Sequence, residues 1–386
     1  MSTSKGGLEG VIAGTSAICE VDGIAGKLSY RGIDINDLVA QSSFEETSYL
    51  LWYGHLPTRN QRRELDDKLS CCRDLPHGIV RMIVDFPETA EPMMVLRTAV
   101  SAMSMYDPGG TEHHHDVDLS RAILLTSRVP VIVAAHHRSR QKLDPIPPRR
   151  DLGLAANFLY MLTGELPSER AAKILDTCLI LHADHELNAS TFAGRVAAAT
   201  LSDLYSSVTA AIGTLAGPLH GGANEQVMQM LRRIGDPSRA EDYVAGLLEQ
   251  GKKVPGFGHR VYRTQDPRAF HLRRMSEEMA RETGESRWYE MSRKIEEYMI
   301  RQKGINANVD FYSASVYYGL GIPIDLFTPV FAISRMAGWT AHILEQYSNN
   351  RLIRPRAEYV GLHNVAYVPI DDRVEQAAVQ NEVSVL

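Results

Sequence analysis

The sequence is poor in cysteine, in long apolar runs and in positive charge. Only four of the 386 residues are cysteines, and none shows the CxxC spacing of a redox or metal motif. The longest apolar run lies around residues 130–135 and is far too short to span a bilayer, so we expect no membrane insertion. Lys and Arg number 41 against 47 Asp and Glu, a formal charge of −6. This balance argues against a nucleic-acid binder, which carries a basic surplus.

The remaining composition is that of an ordinary globular chain, with 44% hydrophobic and 23% charged residues. Its length is enough for a large core and for roughly two domains. The first ten residues are polar and lack the pattern of a signal peptide, which predicts reduced cysteines and a cytoplasmic protein.

Helical patterns dominate after a short extended start. Residues 8–35 alternate apolar residues with Gly and Asp, which predicts two short strands in a small β ribbon. Ser43 and Thr58 are typical helix N-caps, and Ser202 is expected to cap a buried helix over 202–216. Further helical signals fall at 91–106, 119–140, 168–186, 224–234, 240–250, 267–281, 285–303, 310–319 and 328–347. These patterns predict a mainly α protein. Between about 223 and 325 the helices are shorter and more charged, which favours a smaller domain inserted into a larger one.

The segment 254–268 places His259 between glycines and a basic stretch. Gly256 and Gly258 allow the backbone to approach a ligand closely. Asp266 and Pro267 are typical of an N-cap and a first helical position, so Arg268 falls in a first turn, where the helix dipole disfavours a cation. Either Arg268 reaches back to an anion, or the segment is a surface loop with a solvated arginine.

Three histidine motifs allow more than one interpretation. His182 and His185 are three residues apart, so on one helix face they are either metal ligands or core histidines. His220 lies in a glycine-rich turn before a helix that begins near Asn224; the helix N-terminus would keep its imidazole neutral and able to donate a hydrogen bond to an oxyanion. The triplet 113–115 follows a Gly-rich turn and is interpreted as a solvated loop rather than a metal site.

One carboxylate and two arginines complete the candidates. Asp310 opens an aromatic helix, where it is either an N-cap or a partly buried base of raised pKa. Arg335 is the only formally charged residue between 328 and 344, and a guanidinium in an apolar helix is costly unless an anion meets it. Arg354 alone is typical of a solvated basic run.

Together these stretches resemble citrate synthase, in its short bacterial and archaeal form. The resemblance rests on GPLHGGANEQV, VPGFGHRVYRTQDPR, NVDFYSASVY, FTPVFAISRMAGW and RPRAEY, which occur in the family's order, and on LEGVIAGTSAI and FEETSYLLWYGHLP near the start. It therefore covers nearly the whole chain. The resemblance implies an all-α fold with a large helical domain (1–221 and 326–386), a small inserted domain (222–325) and an active site in the cleft between them.

The resemblance also implies a reaction and a role for each candidate. Citrate synthase condenses acetyl-CoA with oxaloacetate and hydrolyses citryl-CoA, and the matching catalytic residues are Asp310 as base, His220 as enolate stabiliser and His259 at the oxaloacetate ketone. Oxaloacetate would be bound by His185, Arg268, Arg335 and Arg354, with Arg354 supplied by the second subunit of a homodimer. Acetyl-CoA would be a co-substrate, with no metal and no tightly bound cofactor. The residues in contact with its CoA moiety would be Lys253, Val254, Gly256, Phe257, Gly258, Lys303 and Asn308.

Three other functions compete with this one. A 2-methylcitrate synthase, which uses propionyl-CoA, shares every quoted motif, because one methyl group is worth only ~1–3 kcal/mol of discrimination. A metal-dependent hydrolase would be built on His182, His185 and the histidine triplet. A non-catalytic helical scaffold would not need Asp310.

Overall fold

The protein is described from a computed structural model, which covers residues 6–8, 10–109 and 113–373. The chain divides into two compact units, Met1–Leu352 and Ile353–Leu386. Within the described ranges no helix is long and apolar enough to cross a membrane.

The first unit begins with a small antiparallel sheet, as the alternating sequence predicts, but with three strands instead of two. Strand β1 (Cys19–Asp22) pairs with β2 (Lys27–Tyr30), and β2 pairs with the two-residue β3 (Ile33–Asp34). Cys19 lies opposite Tyr30 and Asp22 opposite Lys27, so residues 23–26 form the tip of a β1–β2 hairpin.

All other regular structure in the described ranges is helical, which confirms the predicted all-α class. The sixteen α-helices are α1 (Ile35–Gln41), α2 (Phe44–Tyr53), α3 (Arg59–Cys71), α4 (His77–Asp85), α5 (Pro92–Met103), α6 (His115–Ser139), α7 (Leu154–Thr163), α8 (Glu169–His182), α9 (Ala189–Ala198), α10 (Leu204–Leu215), α11 (Ala223–Ile234), α12 (Ala240–Glu249), α13 (Pro267–Thr283), α14 (Arg287–Lys303), α15 (Val309–Gly319) and α16 (Phe327–Ser348). Short 3₁₀ turns lie at Gly6–Leu8, Ser104–Tyr106, Pro237–Arg239, Ile324–Leu326 and Ile370–Asp372.

Most helix starts follow the capping residues that the sequence indicates. The Ser43 side chain accepts from the Glu46 amide, and Thr58 forms a reciprocal capping box with Gln61. The predicted cap of α10 is wrong by one residue. The carboxylate of Asp203 accepts a hydrogen bond from the Ser206 amide, whereas the Ser202 hydroxyl donates to the Ala197 carbonyl.

Helix α16 is the central element of the core, and it packs against α2, α6, α8, α9 and α10. Two tryptophans tie it to its neighbours: Trp52 donates to the Thr340 hydroxyl at 2.9 Å, and Trp339 donates to the Ser190 hydroxyl at 3.0 Å. Arg335 lies midway along this buried helix and is only 1% exposed. The core therefore holds one candidate arginine rigidly.

The other candidates of the first unit lie where helices begin or end. His185 follows the end of α8, and His220 lies in the turn between α10 and α11. His259 belongs to the long connection between α12 and α13, Arg268 to the first turn of α13 and Asp310 to the first turn of α15.

Candidate active site

The turn that carries His220 depends on its glycines. The His220 amide donates to the Gly217 carbonyl and the Gly221 amide to the Leu215 carbonyl, both at 2.9 Å. A Cβ on Gly221 would overlap that same Leu215 oxygen, and Gly222, at φ 77°, is the N-cap of α11. No residue with a side chain fits at Gly221 without moving the turn, so the sequence fixes the backbone beside His220.

Hydrogen bonds define the tautomer of His220. Its Nε2 accepts from the Ser190 amide at 3.2 Å and lies 2.8 Å from the Ser190 hydroxyl. An acceptor nitrogen carries no proton in the neutral ring, so the proton is on Nδ1. Burial and the charge of Arg335 lower the pKa of His220 to about 4, which keeps the ring neutral. His220 is therefore a neutral donor, although burial rather than the helix N-terminus is the main cause.

His259 has the opposite tautomer. Its Nδ1 accepts from the backbone amides of Val261 and Tyr262, at 3.0 and 3.1 Å. The proton therefore lies on Nε2, to which the described residues offer no acceptor, so this N–H can donate to a ligand. Burial and the charge of Arg268 lower the pKa of His259 to about 4. Its ring lies 5.1 Å from that of His185, measured between centroids.

His182 and His185 do not share a helix face, so the prediction of an HxxH helix is wrong. Helix α8 ends at His182, and His185 lies beyond it in the following loop. His182 is fully buried with its Nδ1 2.8 Å from the Cys178 carbonyl, whereas the Nε2 of His185 faces the Tyr262 hydroxyl at 3.3 Å. Burial, followed by the Arg268 charge, holds the pKa of His185 well below its usual value.

Arg268 is buried, so the interpretation as a solvated arginine is wrong. It is 2% exposed, and its Nε and Nη2 donate to the two carboxylate oxygens of Asp266 at 3.0 and 2.8 Å. Asp266 also caps α13 and accepts from the Val309 amide. One edge of the guanidinium is therefore held inside the protein, and Nη1 makes no hydrogen bond within the described chain.

Arg335 has no carboxylate partner among the described residues. Its Nε donates to the His182 carbonyl at 2.8 Å, and its guanidinium lies 4.7 Å from the ring centre of Phe331. Burial lowers the pKa of Arg335, and the nearby carboxylate of Asp184 offsets the lost hydration only in part. A guanidinium left in this state is a strong binding site for an external anion.

Asp310 is not the N-cap of α15, contrary to the alternative interpretation of the sequence. Asn308 is the cap, and its side chain accepts from the Asp310 amide. The Asp310 carboxylate accepts no hydrogen bond from any described residue. Burial raises the pKa of Asp310 to about 6, against the opposing charge of Arg268. The side chain is thus a base of raised strength, and it is not used in local structure.

The two buried arginines act electrostatically on the other candidates. The charge of Arg335 acts on His185, His220 and Asp310. The charge of Arg268 acts on His185, His259 and Asp310. The two arginine charges therefore reach all four of these side chains, and both of them reach His185 and Asp310. Arg354 is an exposed residue of the second unit, and its role stays a prediction.

The segment proposed to contact CoA is a folded loop. The Gly258 amide donates to the Asn306 carbonyl and the Asn308 amide to the Gly256 carbonyl, with an antiparallel bridge between Phe257 and Ala307. Asn308 also donates from its side chain to the Gly258 carbonyl at 2.9 Å. Val254 is buried, whereas Lys253 and Lys303 are exposed.

Sequence reasoning missed two supporting residues. The pairing of Asp266 with Arg268 was readable from the DPR spacing, since an N-cap carboxylate lies within reach of a side chain two residues on. Ser190, which fixes the tautomer of His220, gives no comparable signal because the contact joins residues 30 apart.

The metal interpretation of the histidines finds no support. No cluster of three His, Cys, Asp or Glu side chains in the described ranges could hold a metal ion. The expected solvated triplet is also only partly right: His113 is half-buried against Asp118 and the Leu201 carbonyl, whereas His114 and His115 are exposed, and His115 begins α6.

The geometry can therefore bind a small dianion on two guanidiniums, remove a proton with Asp310 and stabilise two oxygens with neutral imidazole N–H groups.

The chain was compared with known proteins. Residues 7–356 match the family model described as citrate synthase, C-terminal domain. The chain is 51% identical to citrate synthase 2 of Bacillus subtilis (96% of this chain, 100% of the relative) and 50% identical to the citrate synthase of Haloferax volcanii (96% and 99%).

A solved citrate synthase has a similar fold. The ternary complex of the Thermoplasma acidophilum enzyme with carboxymethyl coenzyme A and oxaloacetate has a TM-score of 0.90 at 35% identity, over 95% of this chain and 98% of that one. A 2-methylcitrate synthase of Shewanella oneidensis is also similar, with 42% identity over 95% of this chain and 97% of the relative. The chain therefore belongs to the citrate synthase family.

Proposed function

We propose that the protein condenses acetyl-CoA with oxaloacetate and hydrolyses the citryl-CoA formed, releasing citrate and CoA. One observation carries the proposal. The Asp310 carboxylate accepts no hydrogen bond from the described residues and has a pKa of about 6. The two arginines whose charges act on it also act on His220 and His259, two neutral histidines of defined tautomer. Family membership alone does not assign these roles; the arrangement of the side chains supports them.

The first step is removal of a methyl proton from acetyl-CoA by Asp310. The methyl group is a very weak acid, so the enolate needs stabilisation as it forms. The Nδ1–H of His220 is the donor proposed for the thioester oxygen, and a neutral imidazole suits this role because it does not protonate the oxygen completely.

The second step joins the enolate carbon to the ketone carbon of oxaloacetate. The ketone oxygen accepts a hydrogen bond from the Nε2–H of His259 and takes its proton as the new carbon–carbon bond forms. Water then cleaves the thioester of citryl-CoA, which releases CoA and makes the sequence effectively irreversible.

Oxaloacetate is the proposed ligand of His185, Arg268, Arg335 and Arg354. The unpaired guanidinium of Arg335 and the free Nη1 of Arg268 support this role, because each can form a charge-assisted hydrogen bond to a carboxylate. The solved relative that holds oxaloacetate supports the ligand class. Acetyl-CoA is the co-substrate, with no metal or tightly bound cofactor.

We place CoA along the folded loop 253–258 and beside 303–308. Backbone groups of Gly256, Phe257 and Gly258 would form hydrogen bonds with the adenine of CoA, and Val254 and Asn308 would support the loop. The exposed ammonium groups of Lys253 and Lys303 are the proposed phosphate partners.

We further propose an inserted small domain over 222–325 within a large domain of 1–221 and 326–386, closing on oxaloacetate before the thioester reacts. The assembly would be a homodimer in which Arg354 reaches the partner's site. Four unpaired cysteines are consistent with the cytoplasmic location that we propose.

The test is a thiol-release assay with oxaloacetate and purified protein. Acetyl-CoA and propionyl-CoA are supplied in turn at equal concentration. We expect acetyl-CoA to give the higher kcat/KM. A strong preference for propionyl-CoA would instead identify a 2-methylcitrate synthase. This is the second candidate function, because a relative with that name is 42% identical. Absence of thiol release with both substrates would refute the proposal.

A further inference from the structure

The β1–β2 hairpin contacts two loops that carry site residues. Near its base, the Tyr30 hydroxyl accepts from the Asp184 amide at 3.2 Å and lies 3.1 Å from the carbonyl oxygens of Ile180 and Asp184. Tyr30 is fully buried, so these bonds are shielded from water. The base of the hairpin is therefore fixed to the loop that leads into His185.

The tip of the hairpin reaches the loop after His259. The Asp22 carboxylate shapes this tip by accepting from the amides of Ile24 and Ala25, at 2.9 and 2.8 Å. The Arg263 amide then donates to the Gly23 carbonyl at 2.8 Å. A Cβ on Gly23 would overlap the Val261 carbonyl oxygen, so the two backbones touch.

The residues touched by the tip, Val261 and Arg263, include one of the two that hold His259 and flank the other. Val261 and Tyr262 supply the amides that bind Nδ1 of His259 and thereby fix the proton on Nε2. A displacement of Val261 moves one of these donors directly. The hairpin thus connects the backbone before His185 with the backbone after His259, whose rings lie 5.1 Å apart.

We propose that the turn Asp22–Ala25 is a positioning element for His259, which holds the Val261 and Tyr262 amides against its Nδ1 and so aims Nε2 at the bound keto acid. The role of the keto acid rests on the proposed function. The contact also joins residues 1–221 to the segment 222–325, so the N-terminal sheet supports the site from outside the predicted inserted domain.

Gly23→Ala tests the contact, because Gly23 has no positive φ and the added methyl group is opposed mainly by the Val261 backbone. We expect the KM for oxaloacetate to rise about tenfold, since small displacements at a reacting group cost one to two orders of magnitude. The KM for acetyl-CoA should change less than about twofold. Loss of folded protein lowers the apparent kcat but leaves both KM values unchanged.

Gly14→Ala is the matched control, because Gly14 also lacks a positive φ and a Cβ there meets nothing within 4 Å. If Gly23→Ala does not fold, Asp22→Ala opens the same turn without adding an atom and should raise the same KM. Asp22→Asn keeps an acceptor oxygen and should restore the wild-type value. An oxaloacetate KM within about twofold of wild type in both Gly23→Ala and Asp22→Ala overturns the proposal.

A second measurement does not depend on activity. The imidazole ¹⁵N shifts of His259, assigned by comparison with His259→Gln, should show the Nε2–H tautomer in the wild type and a mixture of tautomers in Gly23→Ala. Identical shifts in the two proteins would also overturn the positioning role. Wild-type protein without condensation activity would refute the proposed function, and these shifts would still decide on the hairpin.

Discussion

At the scale of single residues, the carboxylate of Asp310 has a raised pKa and accepts no hydrogen bond from any described residue. Replacing it with Asn keeps the size of the side chain and removes the base. We expect kcat to fall about 10²–10⁴-fold, the usual contribution of a positioned base, while oxaloacetate still binds. Steady-state kinetics and titration calorimetry with oxaloacetate measure the two effects. An equal loss of oxaloacetate affinity would contradict the role of Asp310.

The same residue predicts the pH dependence. Because burial raises the pKa of Asp310 to about 6, its base form is lost as the pH falls through 6. The pKa values of His220 and His259 are about 4, so both rings stay neutral over this interval. We expect kcat/KM for acetyl-CoA to fall with a one-proton slope below about pH 6. The residual activity of Asp310→Asn should lack this limb; its persistence there would assign the limb to another group.

The buried charge of Arg335 should destabilise the ligand-free protein and stabilise the protein with oxaloacetate bound. Arg335→Met removes a buried charge that no carboxylate pairs, so we expect the free energy of unfolding without ligand to stay level or rise, by up to about 1–2 kcal/mol. Oxaloacetate at 100 times its Kd should add about 2.7 kcal/mol to the wild type and little to the variant. Urea denaturation with and without oxaloacetate measures both values.

Arg335→Lys is the control for charge, since it keeps a cation without the planar fork. It should retain part of the stabilisation by oxaloacetate. Equal stabilisation of the wild type and Arg335→Met by oxaloacetate would remove Arg335 from the binding site.

At the scale of elements, the loop 254–258 is held by glycine. Gly256 has φ 79°, and a Cβ there would lie 2.8 Å from side-chain atoms of both Phe311 and Val227. Gly251 has φ 67° but open space around its Cβ position, so it is a matched control for backbone strain alone. We expect Gly251→Ala to cost about 1 kcal/mol of stability, and Gly256→Ala to cost at least about 1 kcal/mol more through overpacking.

The packing cost should also appear in function, because Phe311 follows Asp310, the proposed base. We expect Gly256→Ala to raise the KM for acetyl-CoA, whereas Gly251→Ala leaves it unchanged. Thermal unfolding and initial rates measure the pair. Equal effects of the two substitutions would mean that the backbone angle, rather than the contact with Phe311, makes Gly256 necessary.

Elements were predictable from the sequence to the extent that they depend on neighbouring residues. Ser43, Thr58 and Asp266 cap helices through bonds to amides two or three residues away, so their patterns are local. The end of α8 before His185 was not predictable in this way, because the apolar pattern continues past the helix. Tyr30, which bonds this loop from 154 residues away at Asp184, belongs to contacts that only the fold creates.

The candidate site was predictable as a set of residues but not as a mechanism. The quoted motifs contain His220, His259, Arg268, Asp310 and Arg335 as ordered stretches, and the resemblance adds His185. They gave no role at the site to Asp266, which holds Arg268, or to Asp184, whose charge acts on Arg335. The proton positions on His220 and His259 depend on hydrogen bonds from the backbone amides of Ser190, Val261 and Tyr262. These hydrogen bonds depend on backbone geometry that no residue pattern specifies. The direction of each imidazole donor therefore came from the structure.

At the scale of the whole molecule, the open question is whether each site is built from two chains. Arg354 lies in the second unit, and the proposed homodimer assigns it to the partner's oxaloacetate. If so, a complete site needs Asp310 from one protomer and Arg354 from the other. Two variants that we expect to be inactive alone, Asp310→Ala and Arg354→Ala, then become informative together.

Co-expression of the two variants with different tags yields mixed dimers, and tandem purification isolates them. In a mixed dimer with shared sites, one site carries both substitutions and the other carries neither, so activity should return to about half that of a wild-type dimer. If Arg354 serves its own chain, each site of the mixed dimer has one substitution and no activity returns. A mixture of the separately purified homodimers, measured before any subunit exchange, is the control, because it contains no complete site under either arrangement. Thiol release by the purified mixed dimer therefore decides whether the second unit completes the neighbouring active site.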